Sequence, residues 1–214
     1  MLQTVIFDLD GTLLDTVEDL ADSLNATLSS FGFPTRPTEW VRATVGNGLA
    51  NLVRRAVPET ASDETCALLL AEFKRYYASH AEIKTKPYAG IPALLRELNE
   101  RGIRVGVVSN KMDAITKPLC AHLLGGLTDA VLGETPMYPR KPDPASTLAL
   151  MNLLGGTAET TVYVGDSEVD ILTANHAGLR YICVTWGFRT SETLVAAGAK
   201  QLADSVAELR DLLF

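Results

Sequence analysis

The stretch that decides the fold lies near the start of the chain, where residues 3–12 read Gln-Thr-Val-Ile-Phe-Asp-Leu-Asp-Gly-Thr. The segment from Gln3 to Leu9 is short, apolar and rich in β-branched residues, which is typical of a buried strand. Asp8 and Asp10 are two residues apart, so their side chains point the same way in an extended chain. A buried strand that ends in two acids predicts a polar site at the edge of a sheet.

The second half of the chain alternates short apolar strands with helices. Strands are predicted over Ile103 to Val108, Thr161 to Val164 and Tyr181 to Val184. Helices are predicted over Ile91 to Glu100, Pro144 to Leu154 and Glu168 to Ala177, each closed by a glycine one or two residues later. Continuous apolar strands between helices indicate an α/β fold, with a Rossmann-like parallel sheet and helices on both faces.

The chain between the first strand and this second half has a different pattern. No convincing strand is found from Asp15 to about Lys86, and leucines recur there every four residues, as they do in amphipathic helices. The segment from Lys84 to Gly90 contains proline and glycine, as a linker does. We therefore predict an inserted all-helical cap domain over residues 16–83, and an α/β core made of residues 1–15 and 84–214.

Composition argues against several classes of protein. The chain has 214 residues and a formal net charge of -7, which makes nucleic acid an unfavourable partner. No stretch approaches the roughly 18 apolar residues of a membrane helix, and the apolar start lacks the basic flank of a signal peptide. Cys66, Cys120 and Cys183 form no closely spaced pair, so we expect reduced thiols in a cytoplasmic protein without a membrane partner. No sequence feature specifies an oligomeric state.

Polar side chains follow three of the predicted strands and occupy one loop. They are Asp8 and Asp10, Ser109 to Lys111, Asp166 and Asp170, and Lys141. Since ligands of open parallel sheets bind beyond the carboxyl ends of the strands, these side chains are expected to meet at one edge. Carboxylates gathered there repel one another unless a cation lies among them, and oxygen ligands favour Mg²⁺. The residues therefore predict a Mg²⁺ site.

The same residues carry a resemblance to a known family. The segments Phe7 to Leu13, Val107 to Asn110, Lys141-Pro142 and Val164 to Asp170 resemble, in this order, the four motifs of the haloacid dehalogenase superfamily of phosphotransferases. The resemblance covers nearly the whole chain, with the helical cap in its usual place. One departure is Met112, where many relatives have proline, and it concerns only the shape of the local loop.

The resemblance implies a phosphatase that uses Mg²⁺ and forms an aspartyl-phosphate. Asp8 would be the nucleophile, and Asp10 would be the general acid and then the base that activates water. The metal would be held by Asp8, the backbone carbonyl of Asp10 and Asp166. The phosphoryl group would be bound by backbone donors of Gly11 and Thr12 and by Ser109, Asn110 and Lys141. Lys141 would also pair with Asp8. Asp170 would orient Lys141 or a water of the metal, and Lys111 would help on the phosphate side.

The cap contains Gly46-Asn47-Gly48 in front of a predicted helix. Taken alone this is a turn before a helix, but it also resembles the cap segment of phosphoglycolate phosphatases, as does the linker from Pro87 to Ile91. Backbone N–H groups at a helix amino end would suit a substrate carboxylate, and Arg42, Arg54 or Arg55 could add positive charge. The resemblance implies 2-phosphoglycolate, a small phosphorylated metabolite, as the substrate under a cap that closes.

Other functions stay open at this point. One alternative is a β-phosphoglucomutase-like isomerase, which has the same pair of aspartates. Another is a phosphatase for pyrophosphate, a sugar phosphate or a nucleoside monophosphate. A non-catalytic binding protein is disfavoured, because the acids that would do the chemistry and Lys141 are all present.

Overall fold

The computed structural model describes all 214 residues, which form two compact units. One unit consists of Met1–Asp15 and Pro87–Phe214, and the other consists of Thr16–Lys86. The helical unit therefore ends at Lys86, three residues beyond Ile83, where the sequence predicts the end of the cap. No helix has the combination of length and hydropathy that crossing a membrane requires.

The structure has eight strands. They are β1 (Thr4–Phe7), β2 (Leu14–Asp15), β3 (Lys86–Pro87), β4 (Arg104–Met112), β5 (Ala130–Glu134), β6 (Thr161–Gly165), β7 (Arg180–Val184) and β8 (Leu202–Ala203). Six of them form one sheet in the order β5-β4-β1-β6-β7-β8, in which all neighbours are parallel. The short strands β2 and β3 pair with each other.

Six helices belong to the unit that contains this sheet. They are α5 (Ile91–Glu100), α6 (Asp113–Leu123), α7 (Ala145–Leu153), α8 (Glu168–Ala177), α9 (Ser191–Ala196) and α10 (Val206–Leu213). Every residue of β1 and β6 is buried, because helices cover both faces of the sheet. The prediction of a Rossmann-like parallel sheet with helices on both faces is confirmed.

Central strand β1 determines where the polar side chains meet. Its last residue, Phe7, is in register with Val107 of β4 and Val164 of β6. The residues that follow Phe7 are therefore level with the ends of both neighbouring strands. Strand β4 is longer than predicted, since it continues beyond Val108 to Met112 with a shift in its register to β5. Its polar residues consequently lie within the strand and not in a loop after it.

The other unit is helical. Its helices are α1 (Val17–Ser30), α2 (Thr38–Thr44), α3 (Leu49–Ala56) and α4 (Asp63–Ala78). Helix α4 packs against α1 and α3. The leucines of α1 that recur at helical spacing, Leu20, Leu24 and Leu28, are buried, as are Leu69 and Phe73 of α4. This apolar face stabilises the unit.

Asp19, in the first turn of α1, explains why the boundary lies beyond Ile83. Its buried carboxylate accepts hydrogen bonds from the backbone N–H groups of Ile83 (3.0 Å), Lys84 (3.0 Å) and Thr85 (2.8 Å), and from the Thr85 hydroxyl (2.7 Å). A carboxylate with this many donors binds the returning chain to the start of α1. Residues 83–85 therefore belong to the helical unit.

Candidate active site

The polar residues predicted from the strand ends do meet at the carboxyl edge of the sheet. Asp8 and Asp10 follow β1, Asp166 follows β6, and Ser109 to Lys111 lie in β4. Lys141 comes from the loop between β5 and α7 and is buried together with Asp8 and Asp166. The parallel register of β1 with its two neighbours brings these groups together although they are far apart in the chain.

Lys141 lies between two buried carboxylates. Its Nζ is 2.6 Å from Oδ1 of Asp8 and 2.8 Å from Oδ1 of Asp170. Burial by itself would lower the pKa of the Lys141 ammonium, but the charges of Asp170 and Asp8 outweigh burial and raise the pKa well above its usual value. Lys141 is therefore a cation at neutral pH and neutralises part of the negative charge of the site.

Asp170 has both of its carboxylate oxygens engaged by neighbouring groups. Oδ1 accepts from Lys141 and from the Tyr163 hydroxyl (2.9 Å). Oδ2 accepts from the Ser167 hydroxyl (2.6 Å) and from the backbone N–H groups of Ser167 (3.1 Å) and Asp166 (3.2 Å). Burial, followed by the charge of Asp170, raises the pKa of Tyr163 well above its usual value, so its hydroxyl keeps its proton and donates. These contacts suit Asp170 to orienting Lys141.

Asp166 is held from two sides by groups distant in the sequence. Its Oδ1 accepts from the Thr12 hydroxyl (3.2 Å), and its Oδ2 accepts from the backbone N–H of Phe188 (2.7 Å). A Cβ atom added to Gly11 or to Gly187 would overlap the Asp166 side chain. The two glycines therefore leave the space in which this carboxylate lies.

Gly11 and Thr12 have contacts that differ from those predicted. The expectation was that both bind phosphate through backbone N–H groups. The N–H of Gly11 instead donates to the carbonyl of Leu14 (2.9 Å), and that of Thr12 to the carbonyl of Leu9 (3.3 Å). These donors close the turn after β1, and phosphate binding by the two residues stays a prediction. Gly11 and Thr12 shape the turn and position Asp166.

The acidic cluster has the composition of a site for a hard divalent cation. Carboxylate oxygens of Asp8, Asp166 and Asp170 lie within 4.8 Å of one another, and all three residues are buried. Burial and the nearby charge of Asp170 raise the pKa of Asp166 to about 7, and burial raises the pKa of Asp8 well above its usual value. Because these acids resist ionisation without more positive charge, a cation fits the site. Asp8 and Asp166 are the acids better suited to hold it, since each oxygen of Asp166 accepts one hydrogen bond, whereas Oδ1 of Asp170 accepts two and Oδ2 accepts three.

Two consecutive residues of β4 bind different parts of the site. Asn110 uses its side-chain amide on the backbone of Lys141: Oδ1 accepts from the N–H (2.8 Å) and Nδ2 donates to the carbonyl (3.1 Å). Lys111, which was expected to help on the phosphate side, places its Nζ 2.7 Å from Oδ1 of Asp10. The Ser109 hydroxyl accepts the N–H of Lys111 (3.1 Å).

The cap loop predicted to meet the substrate lies in the helical unit. Gly46 and Gly48 have φ angles of 120° and 82°, and Gly48 is the N-cap residue of α3, followed by Leu49 as predicted. Two of the candidate arginines have partners within the same unit. Arg54 donates to the backbone carbonyls of Glu59 and Ala61, and Arg42 lies 3.6 Å from Glu39.

Residues 186–189, in the loop after β7, contact the site and were not found by sequence reasoning. Besides the bond from Phe188 to Asp166, Nε1 of Trp186 donates to the carbonyl of Thr12 (3.1 Å), and Nε of Arg189 donates to Glu168 (2.8 Å). No local pattern marks these residues, because they act through neighbours that lie elsewhere in the sequence. Tyr163 was missed for a different reason: as a residue of a buried apolar strand, it reads as part of the core.

Comparison with known proteins agrees with this geometry. Residues 5–184 match the family model of the haloacid dehalogenase-like hydrolases. The chain belongs to this hydrolase family. A relative from Pseudomonas aeruginosa, named phosphoglycolate phosphatase 1, is 35% identical over 216 residues, covering 98% of this chain and 78% of the relative. The phosphoglycolate phosphatase of Rhodospirillum rubrum is 36% identical over 223 residues, with 100% and 91% covered.

A solved structure of the haloacid dehalogenase-like family extends the comparison to three dimensions. The crystal structure of a protein from Lactobacillus delbrueckii subsp. bulgaricus, assigned as a phosphoglycolate phosphatase, superposes with a TM-score of 0.96 at 33% identity. The match covers 99% of this chain and 98% of that protein. The similarity therefore includes the whole fold.

We expect Gly187→Ala to weaken the binding of a divalent cation by about 10–100-fold, the range typical of groups that orient metal ligands. The added methyl group would occupy the space of the Asp166 side chain. The measurement is Mg²⁺ binding by isothermal titration calorimetry, which does not depend on turnover. Gly156→Ala is the matched control, because its Cβ would crowd Thr4 and Thr161 at the opposite ends of their strands. Equal affinities in both variants would contradict the positioning role of Gly187.

Proposed function

We propose that the protein is a Mg²⁺-dependent phosphatase that hydrolyses 2-phosphoglycolate through an aspartyl-phosphate on Asp8. The observation that carries this proposal is the contact between buried Asp8 and Lys141, in which Oδ1 and Nζ are 2.6 Å apart. Asp166, another member of the acidic cluster, lies beside this pair. A carboxylate held in this way by one oxygen can present the other to phosphorus. The substrate is proposed from the relatives, which are named phosphoglycolate phosphatases.

In the first step the free oxygen of Asp8 attacks phosphorus, and the bond from phosphorus to the substrate's alkoxide oxygen breaks. Asp10 donates a proton to that leaving oxygen, which therefore departs as the neutral hydroxyl group of glycolate. In the second step Asp10 takes a proton from water, the water oxygen attacks phosphorus, and the bond to Asp8 breaks to release inorganic phosphate. Exposure agrees with these roles, because the Asp10 side chain is 18% exposed and can receive water.

The negative charge on the phosphoryl group is the main electrostatic obstacle to attack by a carboxylate. Lys141 and the Ser109 hydroxyl are the side chains that would bind phosphoryl oxygens, together with the backbone N–H of Asn110. The Asn110 amide instead holds the loop of Lys141. Mg²⁺, held by Asp8, Asp166 and the backbone carbonyl of Asp10, would neutralise charge on the phosphoryl group when bound.

A substrate comparison tests the proposed function. The protein is assayed with 2-phosphoglycolate, pyrophosphate, sugar phosphates and nucleoside monophosphates, with Mg²⁺ and with EDTA, and the substrates are ranked by kcat/KM. We expect 2-phosphoglycolate to rank first and EDTA to abolish phosphate release. Incubation with β-glucose 1-phosphate separates the isomerase alternative, since isomerised sugar phosphate without free phosphate would contradict a phosphatase.

We expect Gly46→Ala and Gly48→Ala to raise KM for 2-phosphoglycolate about tenfold or more, the size of a lost hydrogen bond to a charged group. Both glycines have φ angles in the left-handed region, 120° and 82°, so a Cβ atom would strain the loop that presents its N–H groups. Gly32→Ala is the control, because Gly32 has a φ of 74° in the same unit and open space around it. Ethyl phosphate, which lacks the carboxylate, should show no change in KM. An equal rise with ethyl phosphate would contradict carboxylate binding by the loop.

A cytoplasmic location is part of the proposal. All three cysteines are free, and burial raises the pKa of the Cys120 and Cys183 thiols to about 12. Such thiols stay protonated and unreactive, as suits a protein in a reducing compartment.

A further inference from the structure

We propose that Lys111 is a positioning residue that holds the Asp10 carboxylate in the orientation from which it protonates the leaving oxygen. This inference rests on the proposed function, in which Asp10 is the general acid. It adds that the orientation of Asp10 is imposed by a second buried lysine and not by the turn after β1 alone. Removing Lys111 should therefore make the rate depend more strongly on the basicity of the leaving group.

The first observation is the burial of the Lys111 cation. Its side chain is only 2% exposed, and its Nζ lies 2.7 Å from Oδ1 of Asp10, whose side chain is 18% exposed. Burying an ammonium group has a large cost in solvation free energy unless an anion compensates for it. Asp10 supplies that anion in the resting site, so the two side chains stabilise each other's position; in the general-acid step Oδ1 still accepts from Lys111, and the proton for the leaving oxygen is carried on Oδ2.

The second observation is that the main chain of Lys111 is held on both sides. Its N–H donates to the Ser109 hydroxyl at 3.1 Å, and its carbonyl accepts from the Thr116 hydroxyl of α6 at 3.1 Å. Thr116 is fully buried. The ammonium group is thus attached to a fixed backbone, and it transmits that fixed position to Asp10.

The third observation is the division of tasks within β4. Because successive residues of a strand point to opposite faces, Asn110 and Lys111 reach different partners from neighbouring positions. Asn110 holds the loop of Lys141, and Lys141 contacts the proposed nucleophile Asp8. Lys111 contacts the proposed general acid. Each of the two acids after β1 therefore has one oxygen held by its own lysine and a second oxygen left for chemistry.

Loss of this contact should act on one step in particular. General acid catalysis contributes about 10²–10⁴-fold to a rate, and a carboxylate that turns away from the leaving oxygen loses part of that factor. A good leaving group needs little protonation, so its rate of release should fall only slightly when the contact is lost. A damaged fold would instead slow all substrates by the same factor.

The test uses phenyl phosphates whose ring substituents change the basicity of the leaving phenolate but hardly its size. The slope of log kcat/KM against the leaving-group pKa is measured for the natural protein, Lys111→Met and Asp10→Asn, since kcat/KM reports the steps up to release of the phenol. We expect Lys111→Met to steepen the slope in the same direction as Asp10→Asn, with a loss of about 100-fold for the most basic leaving group. Lys117→Met is the control, because Lys117 is a 56% exposed lysine paired with Asp113, and its slope should be unchanged.

The slopes of the two variants test the role of Lys111 and the general-acid role of Asp10 separately. A slope in Lys111→Met equal to that of the natural protein, while Asp10→Asn is steeper, would overturn the role of Lys111 and leave the proposed function intact. An unchanged slope in Asp10→Asn would overturn the general-acid role of Asp10 and the inference with it. If Lys111→Met does not fold by circular dichroism, Lys111→Gln takes its place with the same two readings.

Discussion

Asp8→Asn is expected to abolish phosphate release, with a fall in kcat on the order of 10⁴- to 10⁶-fold, as for other lost nucleophiles. An amide has nearly the same shape as a carboxylate but does not attack phosphorus. The site around it should survive, because Lys141 keeps its contact with Asp170 at 2.8 Å. The effect is thus expected on chemistry and not on folding.

The covalent intermediate gives this first prediction a direct measurement. Protein mixed with substrate is quenched in acid and analysed by mass spectrometry for the added mass of a phosphoryl group. The natural protein should show the adduct briefly, and Asp10→Asn should retain it longer, since Asp10 is the proposed base for its hydrolysis. Asp8→Asn should show none. Full Mg²⁺-dependent activity in Asp8→Asn would contradict the assignment of the nucleophile.

Lys141→Met is expected to lower both activity and stability. The change removes the cation that lies between Asp8 and Asp170, and it leaves two buried carboxylates without it. Breaking a buried ion pair on one side costs about 3–5 kcal/mol of the free energy of unfolding. Urea denaturation at neutral pH in EDTA measures this loss, and phosphate release should fall to background.

The pH dependence of the stability of Lys141→Met follows from the sign of the Asp8 pKa shift. Burial raises the pKa of Asp8 above its ordinary value of 3.8, and Lys141 opposes that rise, so removing Lys141 raises the pKa further. An acid with a raised pKa binds more protons in the folded protein, and stability then decreases as pH rises above 3.8. The stability deficit of the variant should be smallest in acid and grow toward neutral pH.

A double variant separates charge from packing in the second prediction. Adding Asp170→Asn to Lys141→Met removes one of the two uncompensated charges, so part of the lost stability should return while activity stays at background. Equal stability of the single and double variants would contradict an electrostatic cause. Lys117→Met, at an exposed ion pair, should change stability by less than about 1 kcal/mol.

The elements predicted best from sequence are those that are marked by local sequence signals or whose residues are fully buried. Helices α5 and α8 begin and end where the sequence predicts, since apolar periodicity and a following glycine are local signals. Strands β1 and β6 are continuous apolar runs because both of their faces are buried. Strand β5 was missed because it lies at the edge of the sheet, is only partly buried and includes Gly133 and Glu134.

The residue types at the carboxyl ends of β1, β4 and β6 and in the loop of Lys141 indicate the kind of chemistry. Their order along the chain places acids, a hydroxyl and a lysine at one edge of a parallel sheet, and the handedness and register of such sheets leave few other arrangements. The family resemblance was also carried by these local segments. Function class therefore follows from short stretches of sequence that need no knowledge of their contacts.

The family resemblance implies that Lys141 pairs with Asp8, but the other partners within the site were decided only by the tertiary structure. Asp8 pairs with Lys141 across 133 residues, Asp10 with Lys111 across 101, and Asp166 with the N–H of Phe188 across 22. A pairing of this kind depends on the register of strands and the course of loops, which bring groups within 3 Å, a scale that local patterns do not encode. For this reason the sequence predicts a lysine near the phosphate and beside Asp8, but only the folded chain shows that Asp10 has a lysine of its own, Lys111.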